Sequence, residues 1–339
     1  MMRRLPFSVV TSVVLAFVSP SHGGDDPPSQ IEPTFDWTDD ADAGTCDLVF
    51  GDLPVLRYVY SVDESSEEAA FDTAKVFHHV FGPGSETIVT KGPGGQYSHH
   101  RGLYVGWNKT SFDGKTQDFW HCRKGEVQRH VEFVEREADS NGATMTAQIH
   151  WIDNEGAPVI EEQRTVSVSR FETDAAPGFG WQIDWSTEIH SLRGEITLDG
   201  DRQHAGFQFR AAQYVAETNN ARYIRPEGFP QQPEAYQVDD RTAPDEHVDL
   251  GWLAMTFEVG DERFTVEYFE APGMPTPSRY SERPYGRFGA FFKTTLTEDE
   301  PLTMTYRVNV TAGDPPLPEA IQARYEAFVE GAQSRQRSR

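Results

Sequence analysis

Residues 143–169 read ATMTAQIHWIDNEGAPVIEEQRTVSVS, and they decide the fold class. Met145, Ala147, Ile149 and Trp151 recur at every second position, while Thr144, Thr146, Gln148 and His150 fill the alternate ones. Successive strand residues point to opposite faces, so this is a half-buried strand with one wet face. Asn154-Glu155-Gly156 supplies turn chemistry and Pro158–Ser169 returns as a second strand, which makes a hairpin. The same text recurs elsewhere. Strands are expected over Leu53–Val62, Lys75–Val80, Val127–Glu137, Trp181–Leu192 and Gly206–Val215. Gly251–Val259, Arg263–Ala271, Arg287–Leu296 and Leu302–Val310 follow. A single helix is legible, opened by Pro318 with Ile321, Tyr325 and Phe328 at helical spacing. The pattern predicts an all-β protein: a large antiparallel β-sandwich over residues 47–316, a C-terminal helix over 317–333 packed outside a sheet, and a disordered basic tail over 334–339. Residues 216–247 are rich in Pro, Asn, Gln and Asp without a period, and read as a long loop covering a site.

At the N-terminus Arg3 and Arg4 precede the uncharged apolar run Phe7–Val18, and Ser21-His22-Gly23 offers small residues for cleavage. This is the layout of a secretory signal peptide over residues 1–23, too short for a comfortable membrane span. The expected location is therefore secreted or periplasmic, without stable membrane insertion, and residues 24–46 read as a flexible leader. Cleavage would remove two positive charges, moving the formal charge from -24 to -26. So acidic a chain repels nucleic acid, which is not an expected partner. Cys46 and Cys122 are the two cysteines, and an oxidising compartment permits one bridge between them where geometry allows.

Functional side chains concentrate in residues 92–121, GPGGQYSHHRGLYVGWNKTSFDGKTQDFWH. Leu103, Val105 and Trp107 alternate as a strand, Asn108–Gly114 reads as a turn, and Gln117–His121 as a returning strand. That hairpin would bring His99, His100 and Arg101 beside Asp118, Trp120 and His121. Imidazoles titrate near neutrality or bind metals, a guanidinium holds a carboxylate or oxyanion, and Trp faces stack on sugar rings. His99, His100 and His121 are the candidate acids and bases, with His150 or Glu188 as counterpart from the wet faces of later strands. Arg101 and Arg210 are candidates to hold the substrate's charge, and Trp107 and Trp120 to stack on it. Asp118, His190, His204, Tyr285 and Arg287 complete the expected binding set. No His-x-His, His-Glu-x-x-His or EF-loop spacing occurs, so no cofactor is predicted and no residue is assigned as a metal ligand. A divalent metal at the His cluster, held by His99 or His100 with His121 and His150, is left open. The absence of Gly-x-Ser-x-Gly, Walker and dinucleotide motifs sets aside serine-hydrolase, NTPase and Rossmann chemistry.

Several stretches together resemble the PmoA-like family of secreted bacterial proteins. They are Leu-Pro-Val-Leu-Arg-Tyr at 53–58, His-His-Arg-Gly-Leu at 99–103 with Trp107, and Asp-Phe-Trp-His at 118–121. Ile149-His150-Trp151, His204-Ala205-Gly206 and Tyr285-Gly286-Arg287-Phe288-Gly289 extend the likeness over residues 47–312. The chain departs from that pattern at Lys75–His79, where the family often has Arg-Pro-Tyr, and at Glu270-Ala271-Pro272, which replaces a His-Pro pair. The resemblance implies a carbohydrate-associated supersandwich similar to galactose mutarotase and polysaccharide-lyase folds.

The expected function is an exported carbohydrate-active enzyme with lyase- or hydrolase-type chemistry on a glycoside, possibly an oxidised one, so its partner is a saccharide or glycoside. Ordinary two-carboxylate hydrolysis would need a close Asp/Glu pair that the sequence does not display. The alternatives are a non-catalytic glycan-binding protein and a metal-dependent oxidoreductase.

Overall fold

A computed structural model describes residues 32–229 and 247–337. The expected signal peptide, most of residues 24–32 and the middle of the 216–247 loop lie outside the described residues.

Two eight-stranded antiparallel sheets make the body. The first runs β1 (Phe35–Asp40), β2 (Thr45–Phe50), β3 (Leu53–Val59), β4 (Phe77–Val80), β5 (Leu103–Trp107), β13 (Ala205–Arg210), β18 (Arg287–Phe291) and β17 (Arg279–Arg283). The second runs β14 (Arg222–Ile224), β15 (Trp252–Val259), β16 (Glu262–Glu270), β20 (Leu302–Ala312), β11 (Phe179–Ser191), β10 (Pro158–Glu172), β9 (Gly142–Ile152) and β8 (Val127–Ala138). A small third sheet has β19 (Thr294–Leu296), β12 (Ile196–Asp199), β6 (Lys109–Phe112) and β7 (Lys115–Gln117). The inward residues of both large sheets form one core. Leu48, Val55, Leu103 and Val105 from the first meet Met145, Ile149, Trp151 and Trp185 from the second. Phe207 and Trp185 touch across the layer with ring centroids 4.6 Å apart. This is the sandwich the period-two text predicts. The helix α3 (Pro318–Arg337) lies on the outer face of the second sheet, Ile321 and Phe328 packing on Trp252, Ala254 and Phe269.

The observed fold differs from four expectations. The stretch read as a flexible leader contains β1, which pairs with β2 from Phe35↔Phe50 to Asp40↔Thr45. The hairpin expected over 103–121 does not form. Both edges of β5 are occupied, by β13 over Ala205–Phe209 and by β4 at His78↔Leu103, so the returning chain finds no edge to pair with. It pairs with β6 as β7 instead, and Asp118–Cys122 makes a turn. The strand expected over Gly206–Val215 stops at Arg210 and gives way to a short helix, α2 (Gln213–Thr218). α3 continues to Arg337, through residues assigned to a disordered tail. Cys46 and Cys122 are both buried and unbridged; Cys46 lies against the Arg136 guanidinium at 3.6 Å.

Candidate functional site

β5 alternates as predicted, yet every one of its residues is buried. The reason lies on the outer face of the first sheet, where the segments 92–101 and 118–122 lie over the strands. Tyr104 points outward and packs with Phe77 and Trp120 beneath these segments. Gly102 lets the first segment cross β4, because a Cβ there would meet the His78 carbonyl oxygen at 2.2 Å. Lys75 ties the two segments together: its Nζ donates to the His99 carbonyl at 2.8 Å and to the Trp120 carbonyl at 2.6 Å. Burial draws its pKa down to about 7.

The turns carry the imidazoles. In the first, His100 N donates to the Tyr97 carbonyl at 2.8 Å, with Tyr97 at φ 57. In the second, Asp118 Oδ1 accepts from the backbone of Trp120 at 3.0 Å and His121 at 2.8 Å. Asp118 Oδ2 stands 2.8 Å from His121 Nδ1, and Cys122 closes the turn at φ 53. Left-handed conformations in residues with a Cβ cost of order 1 kcal/mol, and here two of them bracket the histidine turns. The third turn joins β12 to β13 and repeats the second. Asp201 oxygens lie 2.9 and 3.0 Å from His204 Nδ1, while Asn108 Nδ2 donates to Asp201 at 2.9 Å. Gly200 permits that approach, since a Cβ would fall 2.3 Å from Asn108 Oδ1.

These three turns converge. Ring centroids are 4.9 Å apart for His99–His121, 4.7 Å for His121–His204 and 5.7 Å for His99–His204. One nitrogen from each ring lies within 4.8 Å of the other two. A carboxylate that accepts from Nδ1–H fixes the tautomer and leaves the Nε2 lone pair free, the arrangement that supports metal-bound histidines. His99 Nε2 is buried and makes no hydrogen bond. Burial, reinforced by Lys75, His121 and Arg210, pushes the His99 pKa down to about 2, and burial also lowers His204. Both are therefore neutral rings with lone pairs. All three residues are partly buried. Three imidazole nitrogens at this spacing are a donor set of the kind that can hold a transition-metal ion.

The other expected residues divide. His100 and Tyr285 are here: His100 stacks on Tyr97 at 5.0 Å, and Tyr97 on Tyr285 at 4.6 Å, giving an aromatic wall beside His99. Arg210 and Arg287 lie under it. Arg210 is fully buried, donating to Gln208 Oε1 at 2.6 Å and to the Gln203 carbonyl at 2.9 Å. Arg101 is fully buried, and its Nη1 and Nη2 donate to the Ser98 and His100 carbonyls and to the Phe71 and Asp72 carbonyls at the end of a short helix, α1 (Glu67–Asp72). Trp107 is fully buried between Trp151 and Phe292 and offers a ligand no face. Trp120 is likewise buried, under Arg210. His150, Glu188 and His190 belong elsewhere. They sit on the outer face of the second sheet, with the core between them and the trihistidine cluster. There His150 pairs with Glu161 at 3.5 Å and His190 with Glu188 at 2.6 Å.

Sequence reasoning missed Lys75, Tyr97, Asn108 and Asp201. A signal for Asp201 was present. Asp118-Phe-Trp-His121 and Asp201-Arg-Gln-His204 share one Asp-x-x-His spacing, each a single turn that holds its own histidine.

The chain belongs to a family of unknown function (DUF6807), whose model matches residues 45–326. No curated protein matches the sequence. Among solved structures, it is similar to a putative kojibiose phosphorylase from the human microbiome, at 9% identity and a TM-score of 0.29, over 86% of this chain and 32% of that one. It is also similar to the GH36 α-galactosidase AgaA from Geobacillus stearothermophilus, at 9% identity and a TM-score of 0.35, over 76% of this chain and 39% of that one. The chain thus spans only about a third of the length of these proteins.

Proposed function

We propose that this member of a family of unknown function is an exported, metal-dependent enzyme acting on a saccharide or glycoside. The observation that carries the reading is the convergence of His99, His121 and His204, two of them held by carboxylates on Nδ1. The donor set differs from the one left open by the sequence: His204 takes the place of His150. Three imidazoles suit zinc, copper, iron or nickel. A bound ion supplies Lewis acidity toward a carbonyl or hydroxyl oxygen and acidifies a water.

Asp118 and Asp201 orient the ligand rings. Lys75 holds the His99 and Trp120 backbone, so the two loops move as one. Tyr97 and Tyr285, rather than the buried tryptophans, present partly exposed rings of the kind that stack on a sugar. His100, deep against Arg210 and Arg287, is held neutral by burial and those charges, and so serves as part of the wall. The reaction class is lyase- or hydrolase-type, and the PmoA-like resemblance of the 99–103 and 118–121 stretches belongs to the same proposal.

The test is turnover in a screen of plain and oxidised glycosides. Activity should vanish with chelator, return on adding back one metal, and stay absent in His121→Ala and His204→Ala. Turnover that survives both substitutions would overturn the reading.

A further inference from the structure

His204 belongs to the trihistidine cluster and also lines a cavity of about 500 Å³ beside it. Arg202, Arg279 and Lys293 line the same cavity, opposite Asp199 and Asp201. Three cations around one hollow are unusual in a chain with 54 acidic and 30 basic side chains. Both carboxylates are already committed. Asp199 receives Lys293 at 3.0 Å and the Gly200 N–H at 2.7 Å. Asp201 is taken by His204, by the Gln203 N–H at 2.9 Å and by Asn108. Arg279 is different. Its backbone is fixed in β17 opposite Phe291, but its guanidinium makes no hydrogen bond or ion pair with any described residue. Behind the cavity the field is positive as well, since Arg210 is fully buried, bonded to the Gln203 carbonyl, and its Nε has no partner.

A guanidinium left uncommitted at a cavity wall presents a planar fork that matches carboxylate and phosphate oxygens. Positive walls of low polarisability concentrate the field on whatever enters. We propose that this cavity is an oxyanion subsite: Arg279, aided by Lys293, binds a carboxylate or phosphate on the substrate, with the rest of the substrate directed past His204 toward the trihistidine centre. The direction toward the centre rests on the metal reading above; the oxyanion site does not. The proposal narrows the substrate class from saccharides in general to those bearing a charged oxygen group, such as uronates or sugar phosphates.

The experiment uses the full chain, metal-loaded and metal-free, titrated calorimetrically with D-glucuronate, D-glucose 6-phosphate and D-glucose, with metal content measured on each sample. At least one anionic sugar should bind about tenfold or more tightly than glucose, the scale of one charged hydrogen-bonded contact. Arg279→Gln should erase that preference, and Arg279→Lys should restore part of it. Because no described group relies on Arg279, both variants should keep the wild-type thermal midpoint and metal content. Preference for glucuronate alone assigns a carboxylate, and preference for the phosphate alone assigns a phosphorylated sugar. If neither anion outbinds glucose, or if Arg279→Gln leaves the preference intact, the subsite does not exist. The same Arg279-dependent preference in metal-loaded and metal-free samples is expected of a subsite independent of the metal, whereas a protein that takes up no metal yet shows that preference would sink the metal reading and leave the subsite standing.

Discussion

Replacing Asp118 by Asn isolates the most specific feature of the centre. The carboxylate does two things: one oxygen accepts two backbone N–H groups, at 3.0 and 2.8 Å, and the other faces His121 Nδ1 at 2.8 Å. An amide can satisfy only one of these. Turned one way, its oxygen keeps both backbone donors and its NH₂ meets the ring; turned the other way, the NH₂ clashes with two N–H groups. Two backbone bonds outweigh one, so the first orientation wins and His121 must accept at Nδ1. Its proton then moves to Nε2, the nitrogen a metal needs. Loss of such a supporting carboxylate lowers metal affinity about 10- to 100-fold, or roughly 1.4–2.8 kcal/mol. The turn itself is preserved, so the thermal midpoint should barely move. Competition against a chelating dye measures the affinity directly. An Asp118→Asn protein that binds metal within twofold of wild type would refute the reasoning.

His204→Ala should abolish stoichiometric metal binding while His150→Ala leaves it intact, as read by metal analysis after dialysis, because His150 lies on the far sheet. Tyr285→Ala should weaken sugar binding about 3- to 10-fold by calorimetry without changing metal content, the usual worth of one aromatic contact. Trp107→Ala should cost about 3–5 kcal/mol in urea unfolding, since it empties a fully buried site. Glu270 is buried, accepts from Ser278 at 2.7 Å and from Tyr280 at 3.2 Å, and burial raises its pKa to about 7. Between its unfolded value near 4.5 and about 7 the folded chain holds a proton that the unfolded chain releases, so this group's contribution falls as pH rises through that window. The loss is at most about 3 kcal/mol. Glu270→Gln, compared with wild type at pH 5 and pH 8, should gain clearly more stability at pH 8 than at pH 5; an equal difference at both would contradict the shift.

The period-two pattern made the sandwich legible because it records which face of each strand meets the core, and strands such as Gly142–Ile152 and Phe179–Ser191 follow it closely. The pairing of β5 is not legible in the sequence, since one of its edges is taken by β13, about a hundred residues downstream. His99, His121 and His204 were all marked in the sequence as site residues, but in roles of acid, base or binder. Their convergence depends on three separate turns, and spacing within one hairpin carries no trace of it. Trp107 shows the opposite failure. Its alternation with Leu103 and Val105 places it in the core, and nearness to histidines in sequence does not bring it to the outer face where they lie. Arg101 looked like a free cation only because the helix end that uses its donors lies about thirty residues upstream.

Elemental analysis of the protein, purified without a His-tag or chelator, decides whether the trihistidine cluster holds a metal. The account predicts one equivalent of a transition metal per chain, reduced to background in His204→Ala and retained in His150→Ala. Metal-free wild type that also fails to take up zinc, copper, iron or nickel at micromolar concentration would contradict it.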